Sequence, residues 1–174
     1  MKNTKRYAVP FRRKREGKTD YRKRLNLLSS GMPRLVVRKS LNCIYAQIVE
    51  FDPKGDVVVA SANSNEIAKL GWKFNKKNVP CAYLVGALIA KKAKEKKISQ
   101  AILDIGLYES VKGCKLYAVV KGANDNGLKI PCSVEILPSD DRIKGRHICS
   151  YRKLNESDFS KNFNDVLAKI KGGK

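Results

Sequence analysis

One histidine and 16 acidic residues are set against 37 lysines and arginines in this chain of 174. His147 alone leaves little material for a Ser/His or Cys/His nucleophile. Asp104, Asp140 and Asp141 are the carboxylates a metal-dependent nuclease would call on. Asp104, however, stands alone on its strand, and Asp140 and Asp141 sit beside Pro138 and Ser139 as turn formers. Two-metal catalysis needs several carboxylates converging on one site. Neither G-x-x-x-x-G-K-[ST] nor G-x-G-x-x-G occurs, so the phosphate-cradling loops of nucleotide enzymes are missing. The chain is expected not to be an enzyme. Its five cysteines (Cys43, Cys81, Cys114, Cys132 and Cys149) are scattered, odd in number and without a C-x-x-C. They predict buried thiols in a reducing interior rather than a disulfide framework. His147 with Cys149 is too small a set for zinc, so neither metal nor cofactor is expected. No apolar run reaches the roughly 18–20 residues that span a bilayer. The N-terminus starts charged, without a secretory apolar region. Membrane and small-molecule partners are therefore not expected.

Positive charge is abundant and unevenly placed. The formal net charge is +21. Residues 1–40 hold 14 basic and 2 acidic residues, net +12, which leaves 23 against 14, net +9, for the rest. The densest stretch is FRRKREGKTDYRKRL, Phe11 to Leu25, with Arg12, Arg13, Lys14, Arg15, Lys18, Arg22, Lys23 and Arg24 against Glu16 and Asp20. Such a segment buries too little apolar surface to offset the entropy of ordering itself. Its charge suits a polyphosphate, because Lys and Arg displace condensed counterions and Arg also forks onto phosphate or stacks on bases. Tyr7, Phe11 and Tyr21, interleaved with the cations, offer stacking faces to unpaired bases. A solvated tail, an import address and a membrane-surface anchor are the competing readings of a basic run. The basic body favours a broad polyanion-binding surface over all three.

The pattern predicts an α/β fold. A basic N-terminal arm spans residues 1–30, an α/β domain 31–150 and a C-terminal tail with a short helix 151–174. Tyr21 to Ser30 has helical character, with Leu25, Leu27 and Leu28 as a small patch for docking on the body, and Gly31-Met32-Pro33 ends it. Arg34–Lys39, Ile44–Phe51 and Val57–Ala62 are strand-like, with a turn at Asp52-Pro53-Lys54-Gly55. Short connections make them a three-stranded antiparallel meander. Along Ile44–Phe51, Ile44, Ala46 and Ile48 fall on one side and Tyr45, Gln47 and Val49 on the other. Asn63 or Ser64 caps a helix beginning near Glu66. Val79-Pro80 opens a longer helix, Cys81 to Lys97, with Ala82, Val85, Leu88, Ile89 and Ala93 as its core stripe. Ala101–Leu107 is a buried strand reached by crossover, hence parallel to a neighbour in one mixed sheet. Tyr108–Gly113 is a loop at its carboxyl end, followed by a helix over Cys114–Ala123. Val134–Leu137 is predicted as a short strand and Pro138–Tyr151 as irregular. A C-terminal helix over Asp158–Lys171 shows Phe159, Phe163, Val166, Leu167 and Ile170 on one face.

Specific stretches carry a family resemblance. FRRKREGKTDYRKRL, PRLVVRKSLNCIYAQIVEFDPKGD, KLGWKFNKKNVPCAYLVGALIAKKA, DIGLYESVKGCKLYAVVKGANDNGL and LPSDDRIKGRHI together resemble the 5S-rRNA-binding large-subunit ribosomal proteins. That family is numbered eighteen in bacteria, and this sequence resembles its archaeal form. The resemblance covers nearly all of Arg6 to Ser150. It implies a structural constituent of the large ribosomal subunit, cytoplasmic, that binds 5S rRNA. It also implies attachment of that RNA to large-subunit rRNA in the central protuberance, beside neighbouring ribosomal proteins. By resemblance, the arm places Phe11, Arg12, Arg13, Arg15, Thr19, Asp20, Tyr21, Arg22 and Arg24 at RNA, and the first strands add Arg34, Arg38, Lys39, Ser40 and Tyr45. The charge pattern adds Arg6, Lys14, Lys18 and Lys23, and the interleaved aromatics add Tyr7 as a stacking residue. The turn KSLNC departs from the shorter, more polar turn of many relatives. A free RNA chaperone with little preference among RNAs is the other binding reading.

Overall fold

The computed structural model describes residues 8–172, so Arg6 and Tyr7 lie outside the described residues. Two short helices, α1 (Arg12–Arg15) and α2 (Tyr21–Leu28), precede a meander of β1 (Arg34–Lys39), β2 (Ile44–Glu50) and β3 (Val57–Asn63). Then come α3 (Ser64–Lys69), α4 (Val79–Glu95), β4 (Ile102–Asp104) and α5 (Lys115–Asp125). A 3-10 turn at Val134–Ile136, α6 (Asp140–Ile143), α7 (Arg146–Arg152) and α8 (Glu156–Gly172) complete the chain.

The strands form one mixed sheet in the order β3-β2-β1-β4. β1 pairs antiparallel with β2, and β2 with β3, with a bulge where Val49 faces Val58. β4 pairs parallel with β1, Arg34 opposite Ile102 and Val36 opposite Asp104. The mixed sheet is the one the strand spacing predicts, although its fourth strand is three residues rather than seven.

Local chemistry explains the boundaries. Asn63 accepts from the Asn65 and Glu66 amides while the Glu66 carboxylate accepts from the Asn63 amide, a reciprocal cap that starts α3. Asn78 accepts from the Cys81 amide at 2.8 Å and Pro80 follows in the first turn, so α4 opens at a residue pre-set for helix.

One face of the sheet is closed. Leu35, Val37, Ile44, Ala46 and Ile48 point to α4 and α5 and are buried with Leu84, Val85, Ile89, Val119 and Val120. α4 and α5 cross so closely that a Cβ at Gly86 would overlap the Val119 carbonyl, and one at Gly122 the Tyr83 carbonyl. Only glycine admits that approach. α8 docks on α4 through Phe159, Phe163, Val166 and Ile170, all buried. Trp72 stands edge-on to Phe159 with ring centroids 5.5 Å apart, and Phe74 lies 4.4 Å from the same ring.

Two sequence expectations are corrected. Val134–Ile136 is instead a 3-10 turn with its Val134 side chain exposed; among the described residues no strand pairs with it, and its Ile136 carbonyl accepts from the Gly113 amide of a loop at 2.8 Å. Pro138–Tyr151 holds α6 and α7, which anchor Ile143 and Cys149 in the core. Their polarity belongs to solvent-facing positions of short helices, which a window average cannot separate from loop.

Candidate nucleic-acid interface

The other face of the sheet is open. Alternation along β1 and β2 sends Arg34, Val36, Arg38, Tyr45, Gln47 and Val49 to it, away from the helices. Arg38 and Tyr45 are direct partners in the β1–β2 register. Tyr45 is 39% exposed, so core packing does not account for it.

The arm lies across this face, and a cleft of about 880 Å³ runs between them. Asp20 starts α2 by accepting from the Arg22 amide at 3.0 Å and the Lys23 amide at 3.2 Å. The Asp20 carboxylate thereby offsets orphan amides at the helix start. Before it, the Arg13 guanidinium donates to the Thr19 hydroxyl at 2.9 Å. Glu16 accepts from Arg12 and pairs with Lys18 at 2.9 Å, and those two cations hold its carboxyl below the ordinary value. Phe11 and Tyr21 pack on each other, centroids 5.1 Å apart, with Phe11 exposed. The leucine patch behaves differently from its expected docking: α2 has no buried residue, and Leu25 is exposed, whereas Leu27 lines the cleft.

A chain of alternating charges joins arm to sheet. Arg24 donates to both Asp56 oxygens, at 2.9 and 3.0 Å. Arg34 donates to Asp56 at 2.7 Å and to Asp104 at 3.0 Å. Arg38 donates to the Asp104 carboxylate at 3.1 Å and to the carbonyls of Asp104 and Val37 at 2.7 and 2.8 Å. The Gly106 amide donates to the same carboxylate at 2.8 Å. Gly106 has φ +63°, and a Cβ there would press on the Arg38 guanidinium.

The predicted RNA residues divide accordingly. Arg34 is 4% exposed with its Nε buried and unpartnered, so it sits inside the network that carries the arm. Arg24 and Asp20 are likewise engaged within the chain, and Ser40 closes the β1–β2 turn by accepting from the Cys43 amide at 3.0 Å. Arg13, Lys14, Arg15, Arg22 and Lys23 are exposed, and among the described residues they form no ion pair. Arg38 remains on the open face beside Tyr45, while Lys39 turns to the opposite side. Sequence reasoning missed Asp56 and Asp104 as organisers; the local signal was slight, a carboxylate inside the apolar run Ala101–Leu107 for Asp104 and none beyond a turn residue for Asp56.

The geometry offers grip rather than catalysis. Asp104 is fully occupied by Arg34, Arg38 and Gly106, while Asp140 pairs with Lys121 and Asp141 with Arg146. The three carboxylates do not converge.

Comparison with known proteins bears on what the grip holds. The family described as "Ribosomal large subunit proteins 60S L5, and 50S L18" matches residues 5–101 and 91–133. A large ribosomal subunit protein uL18 of Thermofilum pendens is 53% identical over 149 residues, covering 86% of this chain and 76% of its own length.

Proposed function

The chain belongs to the uL18 family of large-subunit ribosomal proteins, and we propose that it binds 5S rRNA and seats it against large-subunit rRNA in the central protuberance. As a family member it is a non-enzymatic, RNA-binding constituent of the large ribosomal subunit, located in the cytoplasm and associated with rRNA and ribosomal proteins. It is of the archaeal type.

The observation that supports the finer reading is the display of Arg13, Lys14, Arg15, Arg22 and Lys23 beside a rigid sheet face carrying Arg38 and Tyr45. Flexible cations gain affinity from any polyphosphate, whereas cations held in fixed relation to a sheet select a shape. In this reading residues 1–30 are the gripping arm and 31–150 the scaffold. Arg24, Arg34 and Asp20 act by positioning; Phe11 and Tyr21 supply stacking surface, and Arg38 and Tyr45 set register. Arg12, Lys18, Thr19 and Ser40 join the RNA contact in this reading; Arg6 and Tyr7, outside the described residues, are assigned to it from the sequence alone.

The test is binding to 5S rRNA, transfer RNA and a generic duplex across a salt series. Preference for 5S rRNA of about a thousandfold, with a log–log slope of roughly −4 to −8, supports the reading. Equal affinity for all three RNAs would overturn it and leave a general RNA binder.

A further inference from the structure

A second cleft, of about 560 Å³, opens where β1 and β4 end. These strands run parallel, so their carboxyl ends share one edge, the position at which open α/β sheets hold ligands. Alternation along β1 divides neighbouring cations: Arg38 lines the arm cleft and Lys39 this one. The Lys39 ammonium lies 4.9 Å from the centre of the Tyr108 ring, and the Tyr108 hydroxyl donates to the Lys39 carbonyl at 2.9 Å. Lys77 enters from the loop before α4, Lys115 from the first position of α5 and Arg142 from α6. Among the described residues none of these four cations forms an ion pair. Glu109 is the one carboxylate on the rim.

Four like charges gathered with a single unpaired carboxylate at the rim cost free energy. Burial, then Lys77, then Lys39 hold the Lys115 ammonium below its ordinary pKa. An anion from outside relieves that repulsion. Between the cations, Leu107 and Val111 are 53% and 54% exposed, an apolar floor beside the Tyr108 ring. Phosphate charge with a flat apolar body is the chemistry of a nucleotide, and a splayed base of single-stranded RNA presents both at once. Leu107 lines both clefts, so a strand leaving the arm face meets this one next.

We propose that the cleft between Lys39, Lys77, Lys115 and Arg142 is a second RNA contact, which takes the phosphate and unstacked base of a single-stranded nucleotide. The proposal rests on the RNA-binding reading but not on 5S rRNA being the preferred ligand. Lysine acylation of the full chain, mapped by mass spectrometry, tests it with three probes of matched charge: a single-stranded oligoribonucleotide, an RNA duplex and an oligo-aspartate. Lys39, Lys77 and Lys115 are expected to lose labelling about fivefold with the single strand and less than about twofold with the other two. Arm lysines Lys14, Lys18 and Lys23 report binding at the arm in the same sample. Protection of the arm with the cleft still labelled would overturn the proposal and leave the arm reading standing. Equal protection by oligo-aspartate would overturn it in favour of an acidic protein partner. A variant joining Lys77→Gln to Lys115→Gln should lower the magnitude of the RNA salt slope by about 1–2 with the arm intact; an unchanged slope would also overturn it.

Discussion

The two faces of the sheet are built from the same strands by opposite means. Toward α4 and α5, Leu35, Val37, Ile44, Ala46 and Ile48 exclude water and pack to fixed distances. Toward the arm, Arg34, Arg38, Asp56 and Asp104 hold one another through directional charge-assisted bonds, with cations left over at the rim. The closed face gains stability from area, which is tolerant of direction. The open face gains geometry, and a buried charge network contributes to stability only while every member is present. The proposed RNA contact needs preset cations, and only the second construction supplies them.

Removing a single carboxylate should break the comparison most sharply. Asp104→Ala takes from Arg34 one of its two carboxylate partners, leaving a guanidinium that is buried, unpartnered at Nε and held by Asp56 alone, and it frees Arg38 as well. A loss of about 3–5 kcal/mol is expected from the urea midpoint; a loss under 1 kcal/mol would show that the network behaves like a surface ion pair. On the closed face, Gly86→Ala forces a Cβ into the Val119 carbonyl. The α4–α5 crossing must widen, at a cost of about 1–3 kcal/mol with RNA affinity of the folded fraction unchanged. Arg24→Ala releases the arm from Asp56, a contact whose two side chains are about a third exposed, so stability should fall only about 0.5–1 kcal/mol. Trypsin cleavage between Arg12 and Arg24 should accelerate markedly. Arg22→Ala, exposed and unpaired, should leave stability within about 0.5 kcal/mol and weaken RNA binding several-fold, least at high salt. Cys81 gives a pH test of the closed face. Burial pushes its thiol from 9.0 up to about 12. The folded form therefore keeps its proton where the unfolded form loses it. The stabilising contribution is present below pH 9 and declines as pH rises toward 12. Native Cys81 should resist alkylation at pH 9 and react once urea unfolds the chain; rapid native alkylation would show the core to be open.

Much of the closed face is legible in the pattern of residues. The alternation of Ile44, Ala46 and Ile48 against Tyr45, Gln47 and Val49 assigns both faces of β2, and the stripe in α4 assigns its buried side. Burial follows local periodicity, so a short window suffices. The open face was legible in charge but not in roles. Arg34 and Arg22 look alike in sequence, yet one is buried between two aspartates and the other is exposed. Asp20 resembles a contact residue and caps a helix, while Asp104 resembles an idle carboxylate and anchors two arginines. The helices α6 and α7 were hidden because their stability comes from packing Ile143 and Cys149 rather than from propensity.

By itself the sequence determined the front-loaded positive charge, the mixed α/β order of elements, the scarcity of catalytic groups and the family motifs. These depend on composition or on neighbours within a turn or two. Tertiary structure alone decided which cations are spent and which are free. Arg34 meets Asp104 across 70 positions, Arg24 meets Asp56 across 32, and Lys39 parts from Arg38 at the end of one strand. A charge carries no local mark of its partner, because Coulomb attraction acts on distance in space and the fold sets that distance.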